Sequence, residues 1–339
     1  MTDLLDRYDV LLADLDGTLY QGPHVVPGAV EAIQSAAARG VRTAYVTNNA
    51  SRRPSDVARQ LADLGFPATE ADVVTSSQAA ADMLAEQLST GAAVLVVGTD
   101  ALAAEITRVG LTVTTEAADA AAVVQGHSPD TGWRVLADAS VALRRGAVWV
   151  ACNLDPTLPT ERGPLPGNGS MVAVLRTATG LEPQVAGKPA PALVDASLRR
   201  TGARRPLMIG DRLDTDIEGG RAAGIPALLV LTGVSDAAEL LAAAPLRRPD
   251  FVAADLSGLM RDPRDLTPGA RSGWTVQGGA GQWTLTSDGG DDPIDALLSL
   301  CGAHWADGGG AATVRGGDSR ASRALDALGL SDVSATVKS

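Results

Sequence analysis

The chain has 339 residues, 45% of them hydrophobic, which gives room for two or three domains and a sizeable core. It carries 28 Lys and Arg against 40 Asp and Glu, a net charge of -12. That balance argues against nucleic acid or an anionic membrane as partner, because both are met with basic patches. Aromatic residues make up only 3%, so the core is expected to be built from Val, Leu, Ile and Ala. Two cysteines cannot frame a secreted disulfide scaffold of this size. No apolar run approaches the roughly 20 residues of a membrane span. The start "MTDLLDRYD" shows no basic segment followed by an apolar one, so no signal peptide is expected and the cytoplasm is the expected location.

In chain order, short apolar runs alternate with helical patterns. The predicted strands are "DVLLAD", "RTAYVT", "AVLVVG", "AAVVQG", "AVWVAC", "PLMIGD", "ALLVLT" and "DFVAAD", rich in β-branched residues and mostly ending in Gly, Asp or Thr. Between them, "PGAVEAIQSAAARG" reads as a helix with Pro27 at its start and Gly40 at its end. "SRRPSDVARQLADLG" reads as another, closed by Gly65. This alternation of near-continuous apolar strands with helices predicts an α/β fold with a parallel sheet covered on both faces. Near residue 260 the pattern changes. "MRDPRDLTPGARSG", rich in Pro, Gly and charge, reads as a linker over 261–273. Beyond it, "WTVQGGAGQWTLTS" predicts a hairpin, "DPIDALLSLCGAHWA" a helix, "AATVRG" a strand and "SRALDALGL" a helix. Residues 274–339 are therefore expected to form a separate small α/β module.

Acidic side chains are expensive beside a buried strand. Yet Asp14 and Asp16 follow the first strand directly, ahead of Gly17 and Thr18. In a parallel sheet, ligands bind beyond the carboxyl ends of the strands, and Asp14 falls at such an end. Either acid alone is also an ordinary helix or turn cap. Three more stretches sit in similar places. "YVTNNAS" puts Thr47, Asn48 and Asn49 at the end of the second strand, and "VAGKPAPALV" puts Lys188 before a helix with Pro189 in its first turn. "LMIGDRLDTDIEGG" crowds Asp211, Asp214 and Asp216 after a further strand.

In that order, an acid pair with Gly-Thr, a Thr-Asn-Asn, a Lys-Pro and a Gly-Asp with trailing acids resemble the haloacid dehalogenase superfamily of phosphatases. "TNNAS" and "GDRLDTDI" resemble the branch that acts on phosphoglycolate, glycerol phosphate, pyridoxal phosphate and 4-nitrophenyl phosphate. The resemblance implies a Rossmann-like catalytic core over 1–77 and 183–260, with an inserted α/β cap domain over 78–182. It implies Mg²⁺ as cofactor, a small-molecule phosphate monoester as substrate, and Asp14 as the nucleophile that forms an aspartyl-phosphate. Asp16 would be the general acid and then the general base. The metal would be held by Asp14, Asp211 and the backbone carbonyl of Asp16, with Asp214 and Asp216 orienting water or Lys188. Thr47, Asn48, Asn49 and Lys188 would hold the phosphoryl oxygens and offset their charge.

The stretch "CNLDPTLPTERGPLPGNGSM" resembles the family's substrate-facing cap segment, with a helix from Gly169 after it. Thr157 and Leu158 differ from the aromatic and His of animal pyridoxal phosphatases, so a small polyol or acid phosphate is favoured: glycerol 3-phosphate or 2-phosphoglycolate. Another sugar or nucleotide phosphate is the alternative. Asp16 argues against dehalogenation, which needs no protonated alkoxide, and an ion pump would need membrane spans. A phosphomutase or a non-catalytic binding protein on the same fold are the other readings. His24, His127 and His304 join no acid or Cys cluster and read as ordinary histidines. Cys152 reads as core, and Trp274 and Trp283 as the core of the tail module. The tail reads as too short for a complete transferase domain; stabilising a homodimer, restricting cap movement and binding a regulator are all open to it.

Overall fold

The computed structural model describes residues 3–158, 160, 162–331 and 334–335, and these form two compact units, 1–43 with 203–339, and 44–202. Pro159 and Glu161 of the expected cap segment, and the last four residues of the tail, lie outside the described residues. No described helix is long and apolar enough to cross a membrane.

All eight runs read as strands are strands. In the first unit Phe251–Ala253, Ala227–Val230, Pro206–Gly210 and Val10–Ala13 lie side by side in that order, all parallel. Their side chains are buried almost throughout. This is why they read as continuous apolar runs and not as alternating ones: a parallel sheet is covered on both faces. The helix Ala29–Ala38 starts two residues beyond Pro27, with Gly28 in the left-handed region at φ 78° as its N-cap.

The tail builds its own four-stranded sheet from Trp274–Gly279, Gln282–Ser287, Ala312–Gly316 and Ser334–Ala335, with the helices Pro293–Ala306 and Ser319–Ala327. Trp274 and Trp283 are buried within it. His304 is buried and satisfied: its Nδ1 accepts from Trp283 Nε1 at 3.0 Å, leaving Nε2 to donate to the Gly310 carbonyl at 3.0 Å. The module is not separate in packing, because it belongs to the same compact unit as the Val10–Ala13 sheet. Trp305 Nε1 donates to Leu241 O at 3.0 Å, and the Arg248 guanidinium lies over the Trp305 ring at 5.2 Å. The stretch 261–273 is no free linker either. Leu266 is fully buried and its carbonyl accepts from Val252 N at 2.9 Å, while Gly269 N donates to Leu298 O at 3.0 Å. Its Pro and charge content serves a short 3₁₀ turn, Pro263–Asp265, that packs, a use that composition alone does not distinguish from a mobile link.

The boundary with the second unit falls inside the strand Arg42–Thr47. In the second unit Tyr45–Thr47 pair in parallel with Val73–Thr75. A second parallel sheet has the order Gln184–Val185, Val148–Ala151, Ala122–Gln125, Ala93–Val97, Thr112–Thr114. Its edge strand Gln184–Val185 lies beyond the expected cap limit at 182. The unit also extends past 78–182 on both sides, because the helices Ser76–Gln87 and Pro191–Thr201 pack on each other. Leu136, Leu143, Val172 and Leu175, from the helices Trp133–Arg144 and Asn168–Thr179, bury one face of the second sheet against Val123 and Trp149. Pro189 stands two residues ahead of the helix Pro191–Thr201, so it is Pro191 that occupies the first turn.

Candidate active site

In the first unit the strands Val10–Ala13 and Pro206–Gly210 run parallel in register, with Ala13 opposite Ile209 and Asp14 N donating to Ile209 O at 2.9 Å. Both strands therefore end at nearly the same level, and each is followed at once by an aspartate, Asp14 and Asp211. A π-helical turn, Leu213–Ile217, then folds the chain back so that Asp216 joins them, and such wide turns recur at functional sites. Arg212 N donates to Asp216 Oδ2 at 3.2 Å and fixes that carboxylate. One oxygen from each of Asp14, Asp211 and Asp216 lies within 4.8 Å of the others. The approach depends on missing Cβ atoms. A Cβ on Gly17 or on Gly233 would overlap the Asp211 carboxylate, and one on Gly210 would overlap that of Asp216.

Asp211 is fully buried. Its Oδ2 accepts from Val234 N at 2.7 Å and its Oδ1 from Thr18 Oγ1 at 3.3 Å. Burial, and then the charge of Asp216, nonetheless hold its carboxyl well above the usual carboxylate range. Packed hard oxygen donors whose charges oppose one another suit a divalent cation with a preference for oxygen, and the three carboxylates fit Mg²⁺. The structure thus places Asp216 among the candidate ligands, closer to the centre than the orienting role expected of it. Asp214 is elsewhere. Burial alone would raise its pKa, but the Arg212 guanidinium grips both its oxygens, at 3.0 and 2.9 Å, and holds it below the usual range. Asp16 is exposed, and its carboxylate stands outside the three-acid group, while Leu15 between the two acids is buried.

The other predicted residues lie in the second unit. Thr47 ends its strand, buried, with Oγ1 accepting from Asn49 N at 3.1 Å. Asn49 Oδ1 accepts from both the amide and the hydroxyl of Ser51 at 2.8 Å, a local turn. Lys188 is 2% exposed, its Nζ donating to Val46 O at 3.1 Å. The Asn48 carboxamide bonds to the main chain of Lys188, with Oδ1 accepting from its N at 2.8 Å and Nδ2 donating to its O at 3.0 Å.

Asn153, Asp155 and Asn168 fall in the stretch the sequence marks as the cap segment, but the sequence gives none of them a role of its own. Asn153 Nδ2 donates to Asn48 O at 2.7 Å, and Asn168 Nδ2 to Asn153 O at 2.7 Å. The motif order carries no signal for them, since the partners that tie them together are 15 to 107 residues away.

Comparison with known proteins agrees with this geometry. A haloacid dehalogenase-like hydrolase family model matches residues 11–112, and a second model of that kind matches 185–259. A GCN5-related N-acetyltransferase like model matches 271–330. Within that module Asp318 caps the helix Ser319–Ala327, accepting from Arg320 N and Ala321 N at 2.8 and 2.9 Å. The D-glycerol 3-phosphate phosphatase of Mycobacterium tuberculosis is 49% identical over 313 residues, 90% of this chain and 88% of that one. The 5'-nucleotidase YutF of Bacillus subtilis is 40% identical over 233 residues, 68% of this chain and 90% of that one. A crystal structure of glycerol phosphate phosphatase from Mycobacterium tuberculosis with magnesium superimposes with a TM-score of 0.91 at 48% identity, covering 97% of this chain and 99% of that one. With its acids gathered at the strand ends and these matches along its length, the chain belongs to the haloacid dehalogenase-like hydrolase family, among its phosphatases.

Proposed function

We propose that this phosphatase hydrolyses glycerol 3-phosphate in a Mg²⁺-dependent reaction. The observation that carries the substrate is the 49% identity, over 90% of this chain, to a D-glycerol 3-phosphate phosphatase. The cluster of Asp14, Asp211 and Asp216 supports the metal.

As a carboxylate, Asp14 can act as a nucleophile without a separate base to activate it. Its oxygen attacks phosphorus, the phosphorus–oxygen bond to the glycerol breaks, and Asp16 gives its proton to the departing alkoxide. Asp16, now a carboxylate, takes a proton from the water that attacks phosphorus, the bond from phosphorus to the Asp14 oxygen breaks, and inorganic phosphate leaves with Asp14 restored as a carboxylate. The exposure of Asp16 suits this proton traffic, while Asp211 and Asp216 are shut away from water. Mg²⁺ held by Asp14, Asp211 and Asp216 would supply the positive charge that lets an anionic oxygen approach an anionic ester. Thr47 and Lys188 are assigned to the phosphoryl oxygens, Lys188 as the charge that opposes theirs. The stretch 78–182 is assigned as a cap that chooses the leaving group. Two buried, unpaired cysteines, Cys152 and Cys301, support a reducing cytoplasm.

The test is phosphate release from a panel of metabolite phosphates, with and without Mg²⁺. Glycerol 3-phosphate should lead 2-phosphoglycolate, sugar phosphates and nucleoside 5'-monophosphates, and a leading nucleotide would overturn the substrate assignment. Asp14→Asn should abolish release with the fold intact; retained turnover refutes the nucleophile.

A further inference from the structure

The resemblance assigns Asn48 to the phosphoryl oxygens, but its half-buried carboxamide is already hydrogen-bonded to other parts of the protein. Its Oδ1 accepts from Lys188 N at 2.8 Å and its Nδ2 donates to Lys188 O at 3.0 Å, so the carboxamide pairs with one residue's main chain as a neighbouring strand would. Nδ2 also donates to Asp155 Oδ2 at 3.4 Å. The acceptor and both N–H groups of the carboxamide therefore face protein, and neither orientation but this one matches donors with acceptors. The Asn48 carbonyl is held too, by Ser76 Oγ at 2.6 Å and Asn153 Nδ2 at 2.7 Å.

The same residue thus grips two segments. One is the turn that carries Lys188. A Cβ on Gly187 would meet Cys152 O and Asn48 Oδ1, so the close approach of this turn requires glycine there. The other is Asn153–Pro156, where Asp155 N donates to Asn153 Oδ1 at 3.2 Å and Asp155 O accepts from Gly169 N at 2.9 Å.

We propose that Asn48 is a positioning residue, whose carboxamide locks Lys188 in register with the Asn153–Pro156 segment instead of binding phosphate. The proposal rests on the phosphatase reading with Lys188 facing the transferred group's charge. A misplaced lysine then lowers kcat/KM about 10²-fold, the usual effect of a shift of about an ångström in a catalytic group.

The experiment is a double-mutant cycle on 4-nitrophenyl phosphate and glycerol 3-phosphate hydrolysis, with each variant's fold checked by thermal melt. Asn48→Ala is expected to lose about 10²-fold in kcat/KM, Asp155→Ala less, and the double variant no more than Asn48→Ala alone, because the two remove one shared contact. Losses that multiply overturn the proposal, since a direct phosphate ligand and a distant acid would act independently. Asn48→Asp sets two carboxylates face to face and is expected to fall below Asn48→Ala. Adding Asp155→Asn restores the hydrogen bond with its donor reversed, and should recover at least about tenfold. If Asn48→Ala does not fold, that exchange decides alone: recovery supports the proposal and its absence overturns it. A wild-type chain that hydrolyses neither ester overturns the phosphatase reading itself, which is a different failure.

Discussion

Asp216→Asn should make the metal-free protein more stable, although it removes a candidate metal ligand. Oxygens of Asp14, Asp211 and Asp216 lie within 4.8 Å of one another, and at an effective dielectric constant of about 20 two unit charges at that distance repel by roughly 3 kcal/mol. Asn keeps an oxygen to accept from Arg212 N, so the contact that seats the side chain survives. Relief of the repulsion should therefore add about 1–3 kcal/mol at pH 8, above the raised Asp211 pKa of about 6, and raise Tm by a few degrees. Magnesium cancels the gain. A lost ligand weakens metal affinity by at least the roughly 10–100-fold that losing a ligand's own hydrogen-bond partner costs, which at saturation removes at least about 1.4–2.8 kcal/mol of the stabilisation by bound metal. Thermal melts of both proteins, in excess chelator and in millimolar Mg²⁺, test this. The variant should melt above the wild type in chelator and lose that lead in Mg²⁺. A variant that melts lower in chelator would refute the reasoning, because Asp216 would then be serving the fold through Arg212 and not waiting for a cation.

Gly233→Ala puts a methyl into the Asp211 carboxylate, so it should weaken Mg²⁺ activation about tenfold or more while Asp14 stays intact. A metal titration checks this, and an unchanged curve would show that the loop simply gives way. Asp318→Ala removes the cap of the helix Ser319–Ala327 together with an acceptor for Ser287 N, and should lower Tm by a few degrees with turnover unchanged. The amides of Ala321, Ser287 and Arg320 hold the Asp318 carboxyl below the usual range. Its contribution is therefore complete above the ordinary carboxylate pKa and is lost as pH falls through its own lowered value. Melts at pH 7 and pH 3 should show a smaller wild-type advantage at the lower pH.

What the sequence by itself determined is the part of this protein written in local pattern. Buried parallel strands need apolar side chains on both faces, so "DVLLAD" and "PLMIGD" announce themselves, and a strand's end fixes where Asp14 and Asp211 must sit. Short strands such as Val73–Thr75 and Gln184–Val185 were missed, because two or three residues carry no period. The tertiary structure alone decided which acids share a centre. Asp214 and Asp216 look alike in "LDTD", but the π-turn sends one to Arg212 and the other beside Asp211. It also decided that the stretch after residue 260 packs, and that Asn48 holds Lys188 and Asp155. Those partners stand 140 and 107 residues away in the chain, and a hydrogen bond depends on positions to within tenths of an ångström, which only the folded packing sets.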